Sequence, residues 1–153
     1  MRYEQIETLE EYLSDVEETL LKEDECKNVS YPSEYIFPWD AKKIDEANHA
    51  LLSMVSGEAN VYAIFTAPKN SDIFSLRYIG KTTRKLARQR IRNHLIKKNE
   101  RTGAKLNNII SHIQSRGSVK LSWVKIEPES LRNYVEEELI KRHKEANWNR
   151  ENA

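Results

Sequence analysis

Cysteine is nearly absent: Cys26 stands alone, which excludes an internal disulfide framework and any cysteine-based metal cluster and points to a reducing compartment. Apolar runs of membrane-spanning length are missing too, and the opening residues MRYEQIETLEE lack the basic-then-apolar order of a secretory leader. A soluble, cytoplasmic protein with no membrane partner is therefore expected. There are only four glycines and four prolines, and no repeat or low-complexity tract. What is present, 153 residues with 39% apolar content, suits one domain or a domain with an appendage, and is enough for a real core.

The net charge of +1 conceals a segregation along the chain. Residues 1–60 hold five Lys and Arg against fifteen Asp and Glu, a balance of −10, while residues 61–153 hold twenty against nine, a balance of +11. Such asymmetry suggests a nucleic-acid-facing domain behind an acidic appendage; the plainer alternative is two sets of solvated helical surfaces.

Within the acidic part, Ile6, Leu9, Leu13, Val16 and Leu20 alternate spacings of three and four, with Glu and Asp between them. This predicts an amphipathic helix in heptad order, whose stripe is covered either by the chain's own body or by a second copy in a homodimer. Lys27 to Trp39, with Pro32 and Pro38, reads as an extended linker. Asp40 is placed to cap a second helix, buried through Ile44, Ala47, Leu51 and Val55 and ended by Gly57.

Two apolar runs follow, Val61-Tyr62-Ala63-Ile64-Phe65 and one ending in Arg77-Tyr78-Ile79-Gly80-Lys81, around a polar loop centred on Asn70. Paired as an antiparallel hairpin about Asn70, they set Tyr62 opposite Tyr78. In the basic segment Thr82 to Leu95, Ala87, Ile91 and Leu95 recur every four residues and mark a helix with a buried stripe. Arg90 and His94, also four apart, share one line on it, roughly 6 Å apart along the axis and at the border of the stripe. Gly103 breaks this pattern. Leu106, Ile109, Ile110 and Ile113 predict a further helix closed by Gly117, and Val119 to Ile126 predicts a third strand. Pro128 and Ser130 lead into a last helix that faces the core through Leu131, Val135 and Leu139. The expected fold is α+β, a small three-stranded antiparallel sheet flanked by helices, with an acidic helical extension over residues 1–58 and the main domain over 59–153.

A Val-Tyr run, a Tyr-Ile-Gly some fifteen residues on, then Arg and His four apart on the next helix: in this order the pieces resemble the GIY-YIG nucleases. The resemblance extends to Glu136, three residues before Leu139-Ile140, and to Trp148-Asn149 near the end, covering about residues 60 to 150. It departs at Asn60, where the family has glycine; Asn is among the few residues that tolerate a left-handed backbone. The resemblance implies the same α+β core and a DNA endonuclease that leaves a 5′-phosphate and a 3′-hydroxyl. The expectation from another class is a nucleic-acid-binding module with a vestigial nuclease site.

Phosphodiester hydrolysis needs an activated water, a cation where negative charge builds up, and stabilisation of the departing alkoxide. Glu136 is the expected ligand of one divalent cation, Mg²⁺ or Mn²⁺. Helical periodicity alone leaves Glu136 and Glu138 equivalent beside the Val135 stripe, and the family register selects Glu136. Arg90 is expected to clamp phosphate oxygens, since a guanidinium holds two at once. The resemblance makes Tyr62 the proposed general base and Tyr78 a positioning group, with Lys81 and Arg90 as the basic surround needed to bring a phenol's pKa down. Lys81 is itself a candidate to activate water if desolvated, and His94 to relay a proton or bind phosphate. Arg84, Lys85, Arg88 and Arg92 are expected to contact the DNA backbone. Asn149 is the expected site asparagine, with Asn147 as its competitor.

Overall fold

Strand β2 (Val61–Ala67) is buried along its whole length, because a β-branched and aromatic run with no charge can be covered on both faces. The computed structural model describes residues 1–97 and 104–153, so Gly103, expected to end the Arg90 helix, lies outside the described residues. Around β2 the sheet runs β1 (Lys27–Asn28), β4 (Ser118–Val124), β2, β3 (Ser75–Lys81), with every pairing antiparallel.

Alternation along β2 divides the interior into two layers. Val61, Ala63 and Phe65 face α1 (Ile6–Leu21) and α6 (Arg132–Arg142), where Leu13, Val16, Leu20, Val135 and Leu139 complete one core. Tyr62 and Ile64 face the other core, built from α2 (Ala41–Ala47), α3 (His49–Val55), α4 (Ala87–Leu95) and α5 (Leu106–Gln114). The architecture is α+β as expected, but the sheet has four strands rather than three.

The fourth strand comes from the segment expected to be a linker. Lys27 and Asn28 pair with Leu121 and Lys120, and Val29 donates to the Val119 carbonyl at 3.0 Å. Val29 and Ile36 then enter the core. Tyr31 Oη donates to Leu95 O at 2.8 Å and Trp39 Nε1 to Ile96 O at 2.9 Å, so two aromatic donors satisfy carbonyls that the end of α4 leaves open.

The helix after Asp40 is capped as expected, Asp40 Oδ1 accepting from Lys43 N–H at 3.2 Å, but it is two helices. Asn48 divides them. Its buried amide accepts from Ser30 N–H and donates to Ser30 O and Ile44 O, locking residue 30 against the joint. Gly57, at φ 74°, does occupy the left-handed position past the end of α3. Gly117 serves differently: the left-handed residue there is Arg116, and the His112 ring fills the space that a Cβ on Gly117 would need.

Helix α1 is packed on the body. Leu13, Val16 and Leu20 are buried against β2 and α6, and Glu17 bonds His143 Nε2 at 2.6 Å and Arg142 Nη1 at 3.3 Å beyond and within the end of α6. Of the two expected coverings, the chain's own body takes three of the five stripe residues, and a homodimer through the N-terminal helices is left without support. Leu13→Ala should lower stability by about 2–5 kcal/mol in urea melts, by opening a cavity against β2, while leaving the mass in solution unchanged. A near-neutral Leu13→Ala would show that α1 is not part of this core.

Candidate active site

The hairpin register decides how the two tyrosines meet. Tyr62 pairs with Gly80 and Ile64 with Tyr78, two residues away from the expected Tyr62–Tyr78 pairing. A β-bulge opposite Ile64 and Phe65 inserts Arg77 into β3 and displaces the ladder. The tyrosines are therefore diagonal neighbours, ring centroids 6.2 Å apart. The phenol of Tyr62 lies over Gly80, where any Cβ would overlap the ring and hydroxyl. Glycine at position 80 is a steric requirement of the tyrosine opposite it.

Tyr62 is only 1% exposed, and its hydroxyl meets His94 Nε2 at 2.8 Å. The direction of that bond follows from the other ring nitrogen. Lys105 N–H can only donate, so His94 Nδ1 accepts it, at 3.0 Å, and the neutral ring carries its proton on Nε2. His94 Nε2–H then donates to Tyr62 Oη, which leaves the tyrosine's own proton for another acceptor, the neighbouring Tyr78 hydroxyl among them. Burial, then Lys105 and Arg90, lowers the His94 pKa from 6.5 to about 4, which keeps this tautomer neutral.

The cleft, about 230 Å³, brings together Tyr62, Tyr78, Lys81, Arg90, His94 and Glu136. Helix α6 packs against β3, and this lets Glu136 reach the sheet edge while Val135 and Leu139 fill the core. Glu136 and Glu138 are no longer equivalent: Glu138 and Glu137 pair with Lys141 on the outer side, at 3.4 and 3.8 Å. Burial raises the Glu136 pKa; Lys81 opposes this, and Glu151 and Glu137 add to it. Lys81 Nζ lies 3.9 Å from Glu136 Oε1 with 42% of its side chain exposed, so it is not the desolvated amine expected of a water-activating lysine.

The basic surround does not bring the phenols down. Burial, reinforced by Tyr78 and opposed by Arg90, raises Tyr62 well above its usual 10. Tyr78 is pushed up to about 12 by burial and by Glu136 and Glu151, with Arg90 opposing. In this arrangement both are neutral phenols at physiological pH.

The line Arg84, Arg88, Arg92, expected to meet DNA, turns away from the cleft. Arg92 Nε pairs with Asp45 at 3.1 Å, Arg84 Nε with Glu129 at 3.1 Å, and Arg88 Nη1 reaches Ser53 Oγ at 3.4 Å. Lys85 is exposed on the same turn. Asn149 is buried, and its amide accepts from Ile79 N–H at 2.9 Å and donates to Ile79 O at 2.8 Å; Asn147 is exposed. Asn149 therefore braces the strand that carries Tyr78 and does not itself line the cleft.

Three further residues support the site, of which only Asn60 drew notice in the sequence, and there as a departure. Asn60 is not left-handed: its side chain accepts from Ile126 N–H and donates to Thr82 O and to Glu129, tying the ends of β2, β3 and β4 together. Glu129, with a pKa brought down to about 2 by Arg84 N–H, Asn60 and the Arg84 guanidinium, completes that knot. Glu151, in the last turn, sets the field at both Glu136 and Tyr78.

A family model described as the GIY-YIG catalytic domain matches residues 58–152. The chain belongs to the GIY-YIG family. No curated protein and no solved structure matches it. GIY-YIG domains are endonuclease domains, so residues 58–152 form a nuclease-type domain. GIY-YIG nucleases generally depend on a metal ion. The residues here fit a water-rich divalent cation: Glu136 is a largely buried carboxylate whose charge is disfavoured by burial and by Glu151, so a cation beside it relieves a cost already present. Among the described residues no group of three or more His, Cys, Asp or Glu could enclose an ion.

Two outcomes test this site. Gly80→Ala should displace the Tyr62 ring and destabilise the fold by about 1–3 kcal/mol. The depressed pKa of His94 means that the unfolded chain takes up a proton between 6.5 and about 4 that the folded chain refuses. Its contribution to stability is intact above 6.5 and falls on acidification through that window, by on the order of 3 kcal/mol. Urea melts at a series of pH values should show a shallower loss in His94→Gln than in the wild type.

Proposed function

We propose that this protein is a metal-dependent DNA endonuclease that hydrolyses phosphodiester bonds to leave 5′-phosphate and 3′-hydroxyl ends. The observation that carries the reading is the convergence of Tyr62, Tyr78, Arg90, His94 and Glu136 on one cleft from four separate elements, β2, β3, α4 and α6. A vestigial site has no reason to keep a buried phenol, its histidine partner and a strained carboxylate together.

Arg90 extends into the cleft and is suited to hold two non-bridging phosphate oxygens. Tyr78 offers its O–H to the same phosphate or to the attacking water. Tyr62 is oriented by His94 Nε2–H, so its oxygen has a donor already in place if negative charge develops on it. This makes His94 a positioning residue for the phenol. A divalent cation at Glu136, Mg²⁺ or Mn²⁺, would supply positive charge against the phosphate in the transition state and against the neighbouring phenols. Lys81 holds Glu136 when no cation is there.

Nicking of supercoiled plasmid is the direct test. Wild-type protein should nick in Mg²⁺ and not in chelator, and a DNA ligase should reseal the ends without prior phosphorylation. Glu136→Gln should lose nicking by at least about 100-fold while retaining DNA affinity, because it removes charge at the cation and not the basic surface. Glu138→Gln should nick normally. Arg90→Ala should lose rate far more than affinity. Plasmid binding without nicking under any divalent cation would overturn the nuclease reading in favour of a binding module.

A further inference from the structure

A second cleft opens on the other side of Tyr78. It holds about 650 Å³, within the range of small-ligand sites, and it is lined by Arg77, Asn107, Asn108, Ser111, Asn147 and Trp148 among others. The bulge that displaces the hairpin register creates it. By adding Arg77 to β3, the bulge sends Arg77 and Tyr78 to the same side of the sheet, and Arg77 Nε is fixed on Thr66 Oγ1 at 3.0 Å. The backbone of Trp148 is held to the same residue, its N–H donating to Arg77 O at 2.9 Å.

The lining has a specific chemistry. No carboxylate is among the lining residues, and Arg77 has no ion-pair partner among the described residues, whereas Arg84 and Arg92 on the far side of α4 both do. On the wall from α5, Asn107, Asn108 and Ser111 carry donors and acceptors on an exposed helical face, beside the His112 ring, whose Nε2 is taken up by Ala67 O at 2.9 Å. Trp148, half-buried, supplies one aromatic surface. A wall meant for duplex backbone would be rich in Lys and Arg. One cation, paired amides and one indole instead match a single nucleotide: a phosphate, a base edge and a base face.

We infer that this cleft holds one unpaired nucleotide next to the phosphate being cut, with its base against Trp148, its edge on the α5 amides and its phosphate on Arg77. The identity of the ligand rests on the nuclease reading. The substrate class is then DNA with an extruded or unpaired base beside the cleavage position.

The test measures binding in chelator, where no cleavage occurs, to three labelled duplexes of the same sequence: fully paired, with one bulged nucleotide, and with the same bulge made abasic. The bulged duplex should bind about tenfold tighter than the paired one, and the abasic bulge should lose that gain, since stacking of one base is worth this much. Trp148→Leu should abolish the preference and Trp148→Phe should keep it. Should Trp148→Leu fail to fold, Asn108→Ala, on the exposed face of α5, should reduce the preference at least threefold. Equal binding of all three duplexes overturns the inference, as does a preference that survives removal of the base, which would mean that a bent backbone is recognised. The nuclease reading fails separately: a protein that prefers the bulge and never nicks in Mg²⁺ keeps the cleft and loses the catalysis, and one that nicks while binding all three alike does the reverse.

Discussion

A phenol closed off from solvent in the middle of a sheet must find a hydrogen-bond partner, and most of this structure arranges that for Tyr62. The partner is His94, which is useful only as the Nε2–H tautomer, and that tautomer is selected by Lys105 N–H. His94 sits in the last turn of α4, whose final carbonyls are held by Tyr31 and Trp39. Residues 29–39, distant in sequence from every reacting group, thus fix the imidazole on which the phenol depends. On the opposite side the ring requires an empty Cβ position, which Gly80 provides.

Periodicity made the long elements legible. β2 announces itself by an uncharged β-branched and aromatic run, α4 by Ala87, Ile91 and Leu95, and α1 by its alternation of threes and fours. What escaped has physical reasons. Strand β1 is two residues long and owes its pairing to β4 rather than to any propensity of its own. The break at Asn48 depends on Ser30, eighteen residues away, which no local pattern contains. Hairpin register turned on the bulge at Arg77 and on a loop centred just past Asn70, and a run of apolar residues carries no mark of either. At the site, residue types were readable and proton positions were not: the two raised phenols follow from burial, which outweighs the nearby Arg90.

The charge segregation is plain in sequence and is bridged in space at a few points. Arg92 meets Asp45, Lys125 meets Glu58 and Arg142 meets Glu17, each joining the basic part of the chain to the acidic part. These pairs are partly exposed and individually worth little, but they remove cations from the outer faces. On α4 this concerns Arg92 alone, since Arg88 and Arg90 form no ion pair among the described residues. The arginines that line the clefts are Arg77 in the larger and Arg90 in the smaller, where Lys81 joins it.

Strand β3 is the last in the sheet, and its outer backbone groups would ordinarily be open to pairing with another chain. Here they are closed by two residues of irregular backbone. Trp148 N–H caps Arg77 O, and the Asn149 side chain imitates a neighbouring strand by giving and receiving one bond each at Ile79. The closing residues are also among the last in the chain, next to Glu151, which acts on Glu136 and Tyr78. Displacing residues 148–151 would therefore expose a sticky edge and alter the field in the cleft at the same moment. Protection of the sheet edge and the electrostatics of the cleft are in this way carried by one short segment.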